Sequence, residues 1–264
     1  MKKAVLIFSV ILTACSSTKQ SQGVQQNSVV VDGKLFTTVF QQRAAEYKAL
    51  CYQAYNIAYF RLGQSLTMNN GKPKAIITDI DETVLDNSSY AAKRALQGSD
   101  YTPATWAEFT SLAVSDTVPG ALAFLQYAAS NNVEIFYITN REQNERSGTL
   151  QNLKKFGFPN ADEAHLLTKA GTSGKEARRQ QVTATHEVVL LLGDNLSDFS
   201  FLFDKKTSEE RSAATNGLAP QFGNKFIVLP NPNYGDWETT LYKFKYDLTP
   251  AQKDSILKAA VKGY

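Results

Sequence analysis

Residues 75–87 read AIITDIDETVLDN: a short apolar run that stops on a carboxylate, with a second carboxylate two places later. Ala75-Ile76-Ile77-Thr78 is continuously apolar or β-branched, the composition of a strand buried on both faces. Three other runs share that character. Val133 to Ile138 ends on Thr139-Asn140, Val188 to Leu192 ends on Gly193-Asp194, and Phe226 to Leu229 ends on Pro230. Helical patterns lie at Pro119 to Ser130, Glu142 to Phe156, Gly174 to Ala184 and Leu196 to Lys205. Strands alternating with helices call for βαβ units, hence an α/β fold with a Rossmann-like, doubly wound parallel sheet. Such sheets bind ligands beyond the carboxyl ends of their strands. Asp79, Thr139 and Asp194 are therefore expected to converge. Two carboxylates leaving one strand, Asp79 and Asp81, can divide a reaction between a nucleophile that also holds a metal and a proton carrier.

Outward from this centre, apolar residues recur at steps of three and four from Phe36 to Leu62, which predicts one long amphipathic helix ended by Asn69, Asn70, Gly71 and Pro73. Cys51 lies on its apolar stripe and reads as a buried, inert thiol. Residues 87–118 interrupt the alternation. They carry Tyr90, Tyr101 and Trp106, with Thr105 and Glu108 spaced as a capping box, and read as a small helical cap over the strand ends. Pro232, Tyr234 and Trp237 form a second aromatic stretch. The tail from Thr249 is helical, with Thr249 as N-cap and Pro250 in first position.

The chain has 264 residues and a net charge of +3. The first segment has its own explanation. Lys2 and Lys3 precede an apolar run from Ala4 to Ala14, too short to span a bilayer, where about 20 apolar residues are needed. Leu12-Thr13-Ala14-Cys15 resembles the lipobox of bacterial lipoproteins, which implies residues 1–14 as signal peptide and Cys15 as the lipidated residue. Without that signal, 26 basic side chains face 25 acidic ones, which speaks against a nucleic-acid binder. Residues 15–32, rich in Ser, Gln and Gly, read as a tether, and 33–264 as one catalytic domain. Ser16 and Ser17 resemble the sorting signal for the outer membrane. The two histidines, His165 and His186, are too few for a histidine-built zinc site and read as structural or exposed.

Five stretches go further: Ile77 to Asn87 continuing to Tyr90; Tyr137-Ile138-Thr139-Asn140-Arg141; Ser173-Gly174-Lys175-Glu176-Ala177-Arg178; Val189 to Phe199; and Pro230 to Trp237. In them the chain resembles the haloacid dehalogenase superfamily of phosphatases, and more narrowly the class C acid phosphatases of the lipoprotein e family. The resemblance implies that Asp79 attacks phosphorus and becomes an aspartyl-phosphate, while Asp81 serves as general acid and base. It implies Mg2+ held by the carboxylates of Asp79 and Asp194 and the backbone carbonyl of Asp81, with Asp198 and Asn140 just outside. Lys175 and Thr139 would hold the phosphoryl oxygens. Trp106 and Tyr234 would line the leaving-group side, which favours nucleoside 5′-monophosphates and aryl phosphates among small phosphomonoesters. An acidic pH optimum and a homodimer are implied in the same way.

Each residue also has a plainer reading. Asp79, Asp81 and Asp194 could cap turns; Thr139 could be an N-cap; Lys175 could be solvated, although a cation at a helix start is disfavoured by the macrodipole. Arg141 and Arg178 could lie at the surface or behind the site, and the aromatics could be core or rim. A surface lipoprotein that binds haem or nucleotide without turnover, or a phosphotransferase, are the competing functions.

Overall fold

A computed structural model describes residues 28–68 and 71–264. The elements run α1 (Val29–Arg43), α2 (Ala45–Leu66), β1 (Lys74–Thr78), β2 (Leu85–Asp86), α3 (Ser88–Leu96), α4 (Pro103–Ser111), β3 (Asp116–Thr117), α5 (Ala121–Ser130), β4 (Glu134–Ile138), α6 (Arg146–Phe156), β5 (Leu166–Leu167), α7 (Glu176–Thr185), β6 (Glu187–Gly193), α8 (Ser208–Gly217), β7 (Phe226–Val228), α9 (Asp236–Thr239) and α10 (Pro250–Ala260). Five strands form one parallel sheet in the order β5-β4-β1-β6-β7. The chain steps outward from β1 to β4 and β5, then returns to the other side of β1 for β6 and β7. The carboxyl end of β1 therefore lies where the winding reverses.

Both faces of the sheet are covered, which is why its strands read as unbroken apolar runs. Ile76, Leu190 and Leu192 join Tyr55, Leu62, Phe124 and Leu125 in one core under α2 and α5. Ala75, Ile77 and Leu191 join Val182, Phe199 and Phe226 in the other. Cys51 is fully buried in the first core and makes no disulfide.

The helix expected over Phe36–Leu62 is two helices. Ala44 takes an extended conformation (φ −77°, ψ 126°) and its N–H still bonds to Phe40 O, so α1 closes there and α2 begins at Ala45. Ala44 fits the apolar spacing, so the pattern runs through a break it does not register. Of the stretch expected as tether, residues 28–32 are described, and α1 already starts at Val29. Ser28 is its N-cap, and Asp254 in α10 accepts from Ser28 Oγ (2.7 Å), Val29 N and Val30 N. That clasp and the burial of Val30 and Val31 extend the helix beyond what local composition indicates. The signal peptide at 1–14, Cys15 and the rest of the tether lie outside the described residues.

β5, only two residues long, has no periodicity to announce it. The helix expected from Leu196 to Lys205 is two 3-10 turns, Leu196–Asp198 and Phe201–Phe203. Asp198 and Ser200 bind nearby N–H groups with their side chains and divert the backbone. Residues 87–115 carry α3 and α4 between β2 and β3, which pair antiparallel. The capping residue of α4 is Thr102, which accepts from Thr105 N (3.2 Å), with Pro103 at the first position; the box expected at Thr105 and Glu108 lies one turn too late. Among the described residues no helix is long and apolar enough to cross a membrane.

Candidate active site

Register decides which side chains meet. Thr78 pairs with Tyr137 of β4 and with Leu192 of β6, and Asp79 N donates to Leu192 O (2.9 Å). Asp79, Thr139 and Asp194 therefore leave three adjacent strands at one end of the sheet. Asp198 follows one 3-10 turn later, and its carboxylate swings back to accept from Asn195 N (3.0 Å). Gly193 makes room for it: a Cβ there would lie 2.3 Å from Asp198 Oδ2. Carboxylate oxygens of Asp79, Asp194 and Asp198 lie within 4.8 Å of one another. Asp198, expected just outside the metal's ligands, lies beside Asp79 and Asp194 in this group.

Lys175, the N-cap residue of α7, is buried and reaches both Asp79 Oδ1 and Asp198 Oδ1 at 2.6 Å. Asp194 accepts from Asn231 Nδ2 (2.7 Å) and Thr83 Oγ1 (3.5 Å). Among the described residues, Lys175 is thus the one cation paired with a carboxylate of the three aspartates; Arg179 reaches only the backbone carbonyl of Asp198 (2.9 Å). Burial raises the pKa of Asp79 to about 7, with Asp198 and Asp81 pushing the same way and Lys175 opposing. Burial, Asp198 and Asp79 hold Asp194 well above the ordinary carboxylate range. Burial opposes the Lys175 ammonium, but Asp198 and Asp79 outweigh it and raise its pKa. A buried group of three acids and one amine is short of positive charge, and an all-oxygen donor set of this kind suits a hard divalent cation. The residues fit such an ion.

Asp81 faces the other way. Arg141, 2% exposed, donates to its carboxylate from Nη2 (2.7 Å) and Nε (3.1 Å), and Asn87 Nδ2 adds a third bond (2.8 Å). The indole of Trp106 lies over the Arg141 guanidinium, 5.7 Å from ring centre to Cζ, and meets Tyr90 edge-on at 5.0 Å. Glu82 follows Asp81 with a left-handed backbone (φ 53°) that turns its side chain inward. It accepts from Asn87 N (2.9 Å), Asn87 Nδ2 (3.2 Å) and the hydroxyl of Tyr234. Burial, aided by Asp81, raises the Glu82 pKa to about 8 against these donors. Trp106 and Tyr234 thus attach to opposite ends of the network that fixes Asp81.

Thr139 is buried, and its hydroxyl oxygen accepts from Arg141 N (3.1 Å). Its carbonyl accepts from Arg178 Nη1 (2.5 Å), and Arg178 Nη2 donates to Asn140 Oδ1 (2.8 Å). Asn140 is itself exposed and turned to Arg178. Glu82 had no role in the sequence reading, and Arg141, which could have lain at the surface or behind the site, is buried against Asp81. Arg141 stood two places beyond Thr139 on the same strand exit, the position from which a side chain is aimed at the same centre.

Residues 8–237 match the family described as HAD superfamily, subfamily IIIB (acid phosphatase). The fold is similar to that of the class C acid phosphatase from Bacillus anthracis, with a TM-score of 0.86 and 41% sequence identity over 89% of this chain and 99% of that one. The tungstate-bound structure of the class C acid phosphatase from the same organism gives 0.86 and 41%, covering 89% of this chain and 98% of that one.

Proposed function

The chain belongs to the acid phosphatases of HAD subfamily IIIB and is a phosphomonoester hydrolase; from that premise we propose that it works by covalent catalysis on Asp79 with magnesium as cofactor. The observation that carries this reading is the meeting of Asp79, Asp194 and Asp198 around Lys175 at the strand ends.

An oxygen of Asp79 attacks phosphorus as the bond to the leaving alcohol breaks, and Asp81 passes that alcohol a proton. The aspartyl-phosphate then undergoes the reverse exchange: Asp81 takes a proton from water, the water oxygen bonds to phosphorus, and Asp79 is released. Arg141 and Asn87 hold the Asp81 carboxylate for both transfers. Lys175 and the Thr139 hydroxyl hold phosphoryl oxygens and offset the charge that gathers there. Asp79, Asp194 and the Asp81 carbonyl would hold the cation, with Asp198 beside them; when bound, it supplies the charge that lets a carboxylate approach an anionic ester.

Nucleoside 5′-monophosphates and aryl phosphates are the substrates, with Trp106 and Tyr234 offering ring faces to the leaving group. A base stacked on such a ring is worth about 1–3 kcal/mol. The relative solved with tungstate bound holds a tetrahedral oxyanion, the shape of a phosphate product. Three parts of the proposal rest on resemblance: preference for acidic pH, a homodimer, and export to the outer membrane with lipid on Cys15. Acyl labelling that disappears in Cys15→Ser tests the last, and sedimentation tests the second. Phosphate release from nucleotides, with EDTA and then added Mg2+, tests the cofactor; activity that ignores both rules it out.

A further inference from the structure

Asn231, in the loop that leaves β7, holds Asp194 from the side. Its Nδ2 donates to Oδ2 at 2.7 Å, whereas Thr83 Oγ1 stands 3.5 Å from Oδ1. The loop starts beside this acid because β7 runs along the end of β6: Gly193 pairs with Val228, and Leu229 N donates to Gly193 O (2.9 Å). The rest of the amide is engaged too. Asn231 Oδ1 accepts from Asn233 N (2.9 Å) and Tyr234 N (3.4 Å). Turning the amide over would set its oxygen against the carboxylate and its NH2 against two N–H donors. Nδ2 can therefore face only Asp194.

Asn233 holds that turn from behind, and α1 holds Asn233. The Asn233 side chain is 3% exposed. Its Oδ1 accepts from Thr37 Oγ1 (2.5 Å) and Thr38 Oγ1 (3.3 Å), and its Nδ2 donates to Gln41 Oε1 (2.6 Å). Thr38 and Gln41 are buried as well, and Gln41 Nε2 goes on to Asp86 Oδ1 (3.0 Å) in β2. Thr37, Thr38 and Gln41 lie one helical turn apart, so one face of α1 brackets both the loop after β7 and the segment that follows Asp79 and Asp81. A buried polar chain of this kind keeps one arrangement, because breaking a link leaves an amide or hydroxyl unpaired. None of its donors is charged. It orients Asp194 without neutralising it, which leaves the negative charge for a cation.

We infer that Asn231 is a positioning residue for Asp194 as a cation ligand, and that α1 sets Asn231 through Asn233. The inference rests on the cation reading given above. A ligating carboxylate that is itself hydrogen-bonded keeps its orientation, and losing such a partner costs about 10–100-fold in metal affinity. With Oδ2 held by Asn231, Oδ1 is the freer oxygen for the ion. The plainer role for Asn231 is to close the turn, but that needs only Oδ1 and the N–H groups of Asn233 and Tyr234. The turn does not require a 2.7 Å donor on a carboxylate that, among the described residues, has no cationic partner.

Calorimetry of Mg2+ binding to the full chain, without substrate, tests this in wild type, Asn231→Ser, Asn233→Ala, the double variant and Asp194→Asn. Serine keeps an acceptor for the turn and lacks the amide donor. Asn231→Ser is expected to weaken Mg2+ binding about 10–100-fold. Asn233→Ala weakens it in the same direction, and the double variant weakens it no further than Asn231→Ser, because Asn233 acts through Asn231. Wild-type affinity in Asn231→Ser, when Asp194→Asn has lost the ion, overturns the inference and leaves the cation reading standing. Undiminished binding by Asp194→Asn overturns the cation reading and the inference with it. Losses that add in the double variant overturn the link to α1. Should Asn231→Ser or Asn233→Ala unfold the chain, Mg2+ titrated into isotope-labelled wild type decides: the side-chain amide resonances of Asn231 and Asn233 shift together at one equivalent, or unmoved resonances overturn the inference.

Discussion

Arg141 and Asp81, sixty positions apart, form a forked ion pair in which Nη2 and Nε of the guanidinium both reach the carboxylate. Asp81 follows β1 and Arg141 follows β4, so the pairing of two neighbouring strands fixes the geometry. Methionine at 141 keeps much of the volume and removes the fork. Arg141→Met is expected to lower kcat by about 10²–10⁴-fold for alkyl phosphates, the range of a lost proton transfer. The loss shrinks for aryl phosphates, whose leaving groups need no proton. Steady-state kinetics over a leaving-group series measures the difference, and an equal loss across the series contradicts the assigned role.

Gly193→Ala places a methyl group 2.3 Å from Asp198 Oδ2 and 2.5 Å from Asp198 Cβ. Asp198 must move, and its bonds to Lys175 and Asn195 N move with it. Overpacking of this kind costs about 1–3 kcal/mol. Thermal unfolding is expected to show that loss, and Mg2+ titration of activity a weaker apparent affinity. Wild-type values in both assays contradict this account of the glycine.

Stability without metal should fall as pH rises. The Glu82 pKa goes from its ordinary 4.5 up to about 8, and that of Asp79 from 3.8 up to about 7, each by burial first. Between those limits the folded chain keeps protons that the unfolded chain has released. This contribution is full below the unfolded values and is lost as pH climbs through about 7 to 8. In EDTA, Tm is expected to be higher near about pH 5.5 than near about pH 8.5, and Glu82→Gln to flatten the slope. A Tm that rises with pH over this window has the wrong sign.

Trp106 rests on the guanidinium that holds Asp81, so its removal has two effects. Trp106→Ala is expected to raise KM for nucleoside monophosphates by roughly 5–150-fold, the equivalent of about 1–3 kcal/mol of stacking. It also lowers kcat, because the Arg141 fork loses its cover. Trp106→Phe restores most of kcat. A variant with a changed kcat and an unchanged KM for nucleotides counts against stacking.

The sheet and the arrival of Asp79, Thr139 and Asp194 at one end of it were legible because a buried parallel strand writes itself as an unbroken apolar run, and the residues that follow it emerge at the ligand-binding end of such sheets. The same logic misses what depends on partners. Asp198 carries no mark that its carboxylate folds back over Gly193. Glu82 sits in the most informative stretch of the chain, yet its role follows from Tyr234 and Asn87 reaching it. Ala44 preserves helical periodicity while breaking the helix, and the start of α1 depends on Asp254, more than two hundred positions away. His165 and His186 look unrelated until β4 and β6 bring them to Glu134.

The most direct test is to quench a single turnover in acid, digest the protein and locate the phosphoryl group. The account predicts a labile acyl phosphate on the peptide that contains Asp79, and none in Asp79→Asn, which is also inert in steady state. Rapid turnover with no label on Asp79, or substantial phosphate release by Asp79→Asn, would contradict it.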